Sequence, residues 1–203
     1  MSSSQSDFIK FNLSKLGFSS KQDIIENLFL KSLSESYTRI NMAVGKENEI
    51  RDRFLKDLHT TDSDIKKWFQ LKIIYLDWEN WVFTSEYTLA RTDITFKLTG
   101  LEFIIECKRL KNADKAYIDE GLERFVTLKY SRGDEFAGMI GFITSGDKTA
   151  ICRGLKDKIE VLGHTVSVSE VSSTPGFNSC HNRTDQTQIS IYHLFFNFTI
   201  TGN

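Results

Sequence analysis

The chain has 203 residues, a formal net charge of −1, and 40% hydrophobic against 26% charged residues, which suits one folded domain with a sizeable core. The near-zero charge excludes a global basic field, so any nucleic-acid partner must be held by a local patch or by bound metal. Cys107, Cys152 and Cys180 form no CxxC pair, excluding a zinc ribbon or a disulfide framework, and no apolar run approaches the ~20 residues of a membrane helix. The opening "MSSSQSD" lacks the basic-then-apolar order of a signal peptide. With unpaired thiols, this makes the cytoplasm the expected location and leaves no membrane partner expected.

Residues 1–44 read as a polar tail and a helical extension, ahead of a domain over 45–203. Ser20 is placed to cap a helix reaching about Glu35, with Ile24, Ile25, Leu28, Phe29 and Leu33 as its apolar stripe. "GKENEIRDRFLKDL" predicts a second helix with Ile50, Phe54, Leu55 and Leu58 on one side, and "TDSDIKKWFQL" a short third. "KIIYLDWENWVF" and "YTLARTDITFKL" are rich in aromatic and β-branched residues and read as strands. Thr99-Gly100 is a turn signal, so Asp93 to Leu98 and Leu101 to Lys108 are expected to form an antiparallel hairpin. A helix over "NADKAYIDEGLERFVTLKYSR", a buried strand "FAGMIGFIT", a helix "GDKTAICRGLKDKIEVLG" and a strand "HTVSVSEV" follow. After a loop around Pro175 and Gly176, "QISIYHLFFNFT" supplies a last strand. The strand–helix–strand order predicts an α/β fold with a partly parallel, mixed sheet flanked by helices.

The stretch "GLEFIIECKRL" begins as core and ends in charge. Residues two apart in a strand share a face, so Glu106 and Lys108 project together. Pairing about the Thr99-Gly100 turn brings Asp93 to the same end of the sheet. Two close carboxylates resist ionising together unless a cation sits between them, and hard oxygen ligands suit Mg²⁺. An adjacent ammonium suits an anionic phosphate or an attacking water.

An acidic residue, a spacer and Glu-x-Lys at the end of an apolar strand resemble the PD-(D/E)XK nuclease superfamily, the restriction-endonuclease-like fold. The element order from Glu47 to Val171 is similar to that family's core, over some three-fifths of the chain. Thr92-Asp93 stands where the family has Pro-Asp, and Glu106-Cys107-Lys108 where it has E-x-K. The resemblance implies Asp93 and Glu106 as metal ligands, the backbone carbonyl of Cys107 as a further ligand, and Lys108 acting on the water or the transition state. It implies a further carboxylate from the preceding helix, for which Glu49 is the first choice and Glu47 the second. Mg²⁺, with Mn²⁺ as substitute, is the implied cofactor, and DNA the implied substrate, with RNA as the alternative. Prokaryotic genome defence, by restriction or as an anti-phage effector, is the implied setting. Many members act as homodimers or with a targeting protein, and Leu28, Phe29 and Leu30 are the expected interface.

The helix after the motif faces the site in this family, which nominates Arg124 and Lys129 for phosphate and Tyr130 as a supporting hydroxyl. Arg109 and Lys111 extend the positive edge. His181 and Arg183, in the Ser/Asn-rich stretch near Cys180, are further candidates for nucleic-acid contact, whereas the spacing of "SCHNR" and His193 fits no zinc pattern. His193, in an apolar strand, reads as a hydrogen-bonded core histidine. The competing reading of Glu106 and Lys108 is an ion pair at a strand end, in a nucleic-acid-binding or scaffold module without catalysis.

Overall fold

Along the strand Leu101–Leu110, side chains alternate between two cores: Phe103, Ile105 and Cys107 enter one, Ile104 and Leu110 the other. A strand buried on both faces lies inside a two-sided sandwich of helices on a sheet. The computed structural model describes residues 9–10, 12–40, 45–79, 81–83, 89–171 and 176–199. Within these, helices α1 (Lys21–Ile24) and α2 (Lys31–Arg39) run continuously through a wide π turn, Ile25–Leu30. They are followed by α3 (Glu47–Thr60), α4 (Asp64–Gln70) and strands β1 (Tyr75–Trp78), β2 (Trp81–Phe83), β3 (Leu89–Arg91), β4 (Ile94–Leu98) and β5 (Leu101–Leu110). Helix α5 (Lys115–Tyr117) continues through a second π turn, Ile118–Leu122, into α6 (Glu123–Val126). Then come β6 (Phe136–Ile143), α7 (Lys148–Glu160), β7 (Thr165–Val171), β8 (Gly176–Asn182) and β9 (Gln188–Asn197).

Seven strands form one mixed sheet in the order β1-β4-β5-β6-β9-β8-β7. β5, β6 and β9 are parallel, and the remaining neighbours are antiparallel. The expected hairpin is present, Leu98 opposite Leu101, with Gly100 at φ +84° taking the left-handed turn position that suits a residue without a Cβ. Each of the two aromatic-rich segments is broken rather than continuous. Glu79 at φ +51° ends β1, and β2 pairs with β3 in a separate two-stranded sheet. The helix expected through Arg132 ends at Val126, because Leu128 and Ser131 take positive φ values of 61° and 53°. Strand β8 replaces the expected loop. Its inward positions are Phe177, Ser179 and His181, so two polar residues hide its alternation.

The segment read as an N-terminal extension packs on the sheet. Ser20 caps α1 by accepting from the Asp23 N–H at 3.0 Å, as expected. Phe29 stacks on Phe96 with ring centroids 4.6 Å apart and planes 8° from parallel. Leu28, Phe29 and Leu30 are 5, 0 and 1% exposed. They are core, not the open interface their sequence suggested, since the sheet already covers them. Among the described residues no helix is long and apolar enough to cross a membrane.

Candidate functional site

β5 outlasts β4 at one end: Ile94 pairs with Ile105, and the strand runs on through Glu106, Cys107 and Lys108 beside β6 alone. Asp93, just before β4, fills the vacated edge, its Oδ2 accepting from the Cys107 N–H at 2.8 Å. A strand residue's N–H and C=O point the same way, so the Cys107 carbonyl faces the Asp93 side as well. Glu106 and Lys108 leave β5 on the face of α5 and α6, where Glu106 Oε1 takes Lys108 Nζ at 3.0 Å and Arg124 Nη1 at 2.8 Å. These residues open on a cleft of about 290 Å³, lined also by Glu47, Asn48, Arg91, Lys129 and Tyr130.

Helix α3 brings Glu47 and Arg51, which share a face four residues apart. Glu47 Oε2 accepts from the Arg109 N–H at 2.6 Å. Arg51, 3% exposed, reaches Asp93 Oδ1 at 3.5 Å, Glu79 at 3.0 Å and Asp52 at 2.9 Å. Tyr130 accepts from Arg124 at 2.9 Å and donates to the Arg91 carbonyl. This tie holds the Arg124 fork toward Glu106.

Glu106 is 2% exposed, and its Oε2 has no hydrogen-bond partner among the described residues. Burial first, and the nearby Asp93 charge second, push its carboxyl up to about 7. Glu47 is likewise raised, by burial and by Asp93, against the Arg109 N–H and Lys108. Burial and the Asp93 charge raise both acids, and Glu106 gives both cationic neighbours its Oε1 while Oε2 is left without a partner, a free carboxylate oxygen that fits a bound divalent cation. Among the described residues no three His, Cys, Asp or Glu side chains are arranged to hold an ion by themselves. An ion held by one or two carboxylates, with waters and substrate phosphate completing its shell, needs no such group.

The weakened acidity of Glu106 has a measurable cost. Near pH 4.5 and below, Glu106 is protonated folded or unfolded; between there and about 7 only the folded form keeps its proton, so stability falls as pH rises. Glu106→Gln keeps an acceptor for Arg124 and Lys108 without the charge. It is expected to stabilise the fold by on the order of 1–2 kcal/mol at pH 8, and by almost nothing at pH 4.5. Melting curves at the two pH values check this, and an equal difference at both contradicts it.

Glu49, the first choice for a further carboxylate, is turned to the helix start, where its Oε2 accepts from the Lys46 N–H at 3.0 Å. Capping claims it, and Glu47 lines the cleft instead. Lys129 reaches the cleft from the loop after α6. Arg109 lies on the opposite face of β5 from Lys108 by strand alternation, its side chain exposed.

His181 and Arg183 are not nucleic-acid contacts: they are buried, at 0 and 5% exposure. His181 bonds His164 at 3.0 Å and Ser179 at 2.6 Å, and burial pushes it down to about 4, so it carries no charge for a phosphate at neutral pH. Arg183 donates to the Ser131 carbonyl at 2.9 Å. His193 is the hydrogen-bonded core histidine expected, between Ser179 at 2.7 Å and Tyr117 at 3.0 Å. Sequence reasoning missed Arg51, Arg91, Asn48 and Glu79. Only the Glu47–Arg51 spacing signals one of them, since a helical charge run otherwise reads as a solvated face.

Comparison with protein-family models, with curated proteins and with solved structures returned no match.

Proposed function

We propose that this protein is a metal-dependent nuclease of the PD-(D/E)XK type that hydrolyses phosphodiester bonds, in DNA rather than RNA. The observation that carries the reading is the meeting of Asp93, Glu106 and Lys108 in one polar cleft, with a buried carboxylate oxygen left unpartnered. The succession of a helix, the antiparallel strands β1, β4 and β5, a helix and the parallel β6 supports the restriction-endonuclease-like assignment.

Asp93 and Glu106, with the Cys107 carbonyl, are the groups to hold Mg²⁺ or Mn²⁺, and Glu47 is the additional acid. Bound there, the ion supplies Lewis-acid stabilisation of charge on the phosphate. Lys108 stands against Glu106 with its side chain 15% exposed, so its ammonium is held at the cleft to donate to a phosphate oxygen or an attacking water. Arg124 and Lys129 add positive charge on the far wall, where a strand's neighbouring phosphates would lie. Burial of Glu106 strengthens its own pairing with Lys108 and Arg124 by excluding water.

The arginines seated on both acids, Arg51 on Asp93 and Arg124 on Glu106, favour a second reading: a nucleic-acid-binding module that keeps the arrangement without cutting. Incubation with plasmid, linear duplex, single-stranded DNA and RNA, in Mg²⁺ and in Mn²⁺, separates the two. The nuclease reading expects cleavage by the wild type, none in EDTA, and none by Asp93→Asn. Equal inertness of wild type and variant on every substrate leaves the second reading.

A further inference from the structure

Helix α3 carries a second stripe beside the one that enters the cleft. Asn48 lines the cleft. One turn on, Asp52, and then Leu55, Lys56 and His59, line a separate slot of about 310 Å³ whose other wall is Trp78. The step from Asn48 to Asp52 is roughly 6 Å along the helix, about the reach from one nucleotide to the next. The two hollows share a wall, since the Arg51 guanidinium bonds both Asp52 in the slot and Asp93 in the cleft. Trp78 in turn pairs with Ile94, the residue after Asp93.

The slot differs from the cleft in chemistry. Its lining is mostly apolar, and Trp78, 52% exposed on an edge strand, spends a large aromatic face on solvent. Large aromatics are enriched where a protein binds, and this one lines a slot beside a polar cleft rather than standing alone on the surface. His59 stands edge-on to Trp78 at 6.2 Å and stacks on Phe69 at 5.1 Å, so the rings of the slot are packed on one another. Its Nδ1 is engaged by the Leu55 carbonyl at 2.9 Å, which leaves Nε2 as an acceptor in the neutral ring. Asp52 adds carboxylate oxygens, and the exposed Lys56 a cation at the rim. A flat aromatic platform, acceptors at its edge and a cation at its mouth match a nucleobase with its phosphate. A base inside an intact duplex is stacked on both sides and cannot present its face.

We propose that this slot receives an unpaired nucleobase stacked on Trp78, next to the phosphate held in the cleft, and that the substrate is therefore a single strand or a frayed end. The inference rests on the reading of the cleft as a phosphodiester site.

Binding is measured in EDTA, so that nothing is cut, by fluorescence anisotropy of a short labelled DNA strand and of the blunt duplex of the same sequence. Trp78→Ala is expected to weaken strand binding about ten-fold and to leave the duplex within about two-fold, while Trp78→Phe keeps most of the strand affinity. Equal change, or no change, on strand and duplex overturns the slot. A strand carrying one 5-iodouracil, photo-crosslinked to the wild-type protein, reads the same contact without any variant. A crosslinked peptide containing Trp78 or residues 52–59 supports the slot, and one elsewhere overturns it. Cleavage in Mg²⁺ without selective loss in Trp78→Ala removes the slot alone. Selective strand binding without cleavage in Mg²⁺ or Mn²⁺ removes the nuclease reading alone, and a wild type that binds neither probe removes both.

Discussion

Lys108→Ala is expected to lower metal-dependent cleavage by about 10²–10³-fold, the usual loss when one positioned donor is removed from a developing charge. The fold is expected to survive. Lys108 is partly exposed, and Glu106 keeps its bond to Arg124. Single-turnover cleavage at saturating protein, alongside a melting curve, is the measurement. A rate within a few-fold of the wild type would mean that the ammonium only neutralises Glu106, and the catalytic assignment of Lys108 would fall. Substrate binding in EDTA is expected to change far less than the rate, because Arg124 and Lys129 remain on the cleft wall.

The second large effect concerns the fold. Phe29→Ala is expected to cost about 3–5 kcal/mol, because the ring is fully buried and stacked on both Phe96 and Phe103. For a domain of this size each kcal/mol moves the melting temperature by about 2–4 °C, so the variant should melt at least ~6 °C lower. Thermal or urea unfolding reads this directly. A loss below about 1 kcal/mol would return the N-terminal helices to the status of a dispensable extension. A large loss makes them part of the wall that holds β4 and β5, and hence Asp93 and Glu106, in place.

What was legible in the sequence followed from local patterns. The two-residue period of β5 and the Thr99-Gly100 turn are enough to place Asp93 beside Glu106 and Cys107. The parallel pairing of β5 with β6 follows from the helix between them. Competition for the same group is not legible. Glu47 and Glu49 look alike in "GKENEIRDRF", yet the Lys46 N–H claims one and the Arg109 N–H, 62 residues away, positions the other. His181 and Arg183 looked like surface cations because their partners, His164 and the Ser131 carbonyl, come from other segments. Strand β8 hid for a related reason: Ser179 and His181 point inward and satisfy one another, breaking the apolar alternation by which strands are recognised.

The sheet order also governs when the cleft comes into being. β6, which supports Glu106 and Lys108 from one side, is itself flanked by β9, so the centre of the sheet closes only after Gln188–Asn197 has been added. Pairings of such long sequence separation form late, once loop-closure entropy has been overcome. A chain still on the ribosome, with β5 already emerged, therefore lacks the neighbour that fixes the end carrying Glu106 and Lys108. This topology confines the completed cleft to chains in which β9 has joined the sheet. An unfinished copy carries the residues without the arrangement.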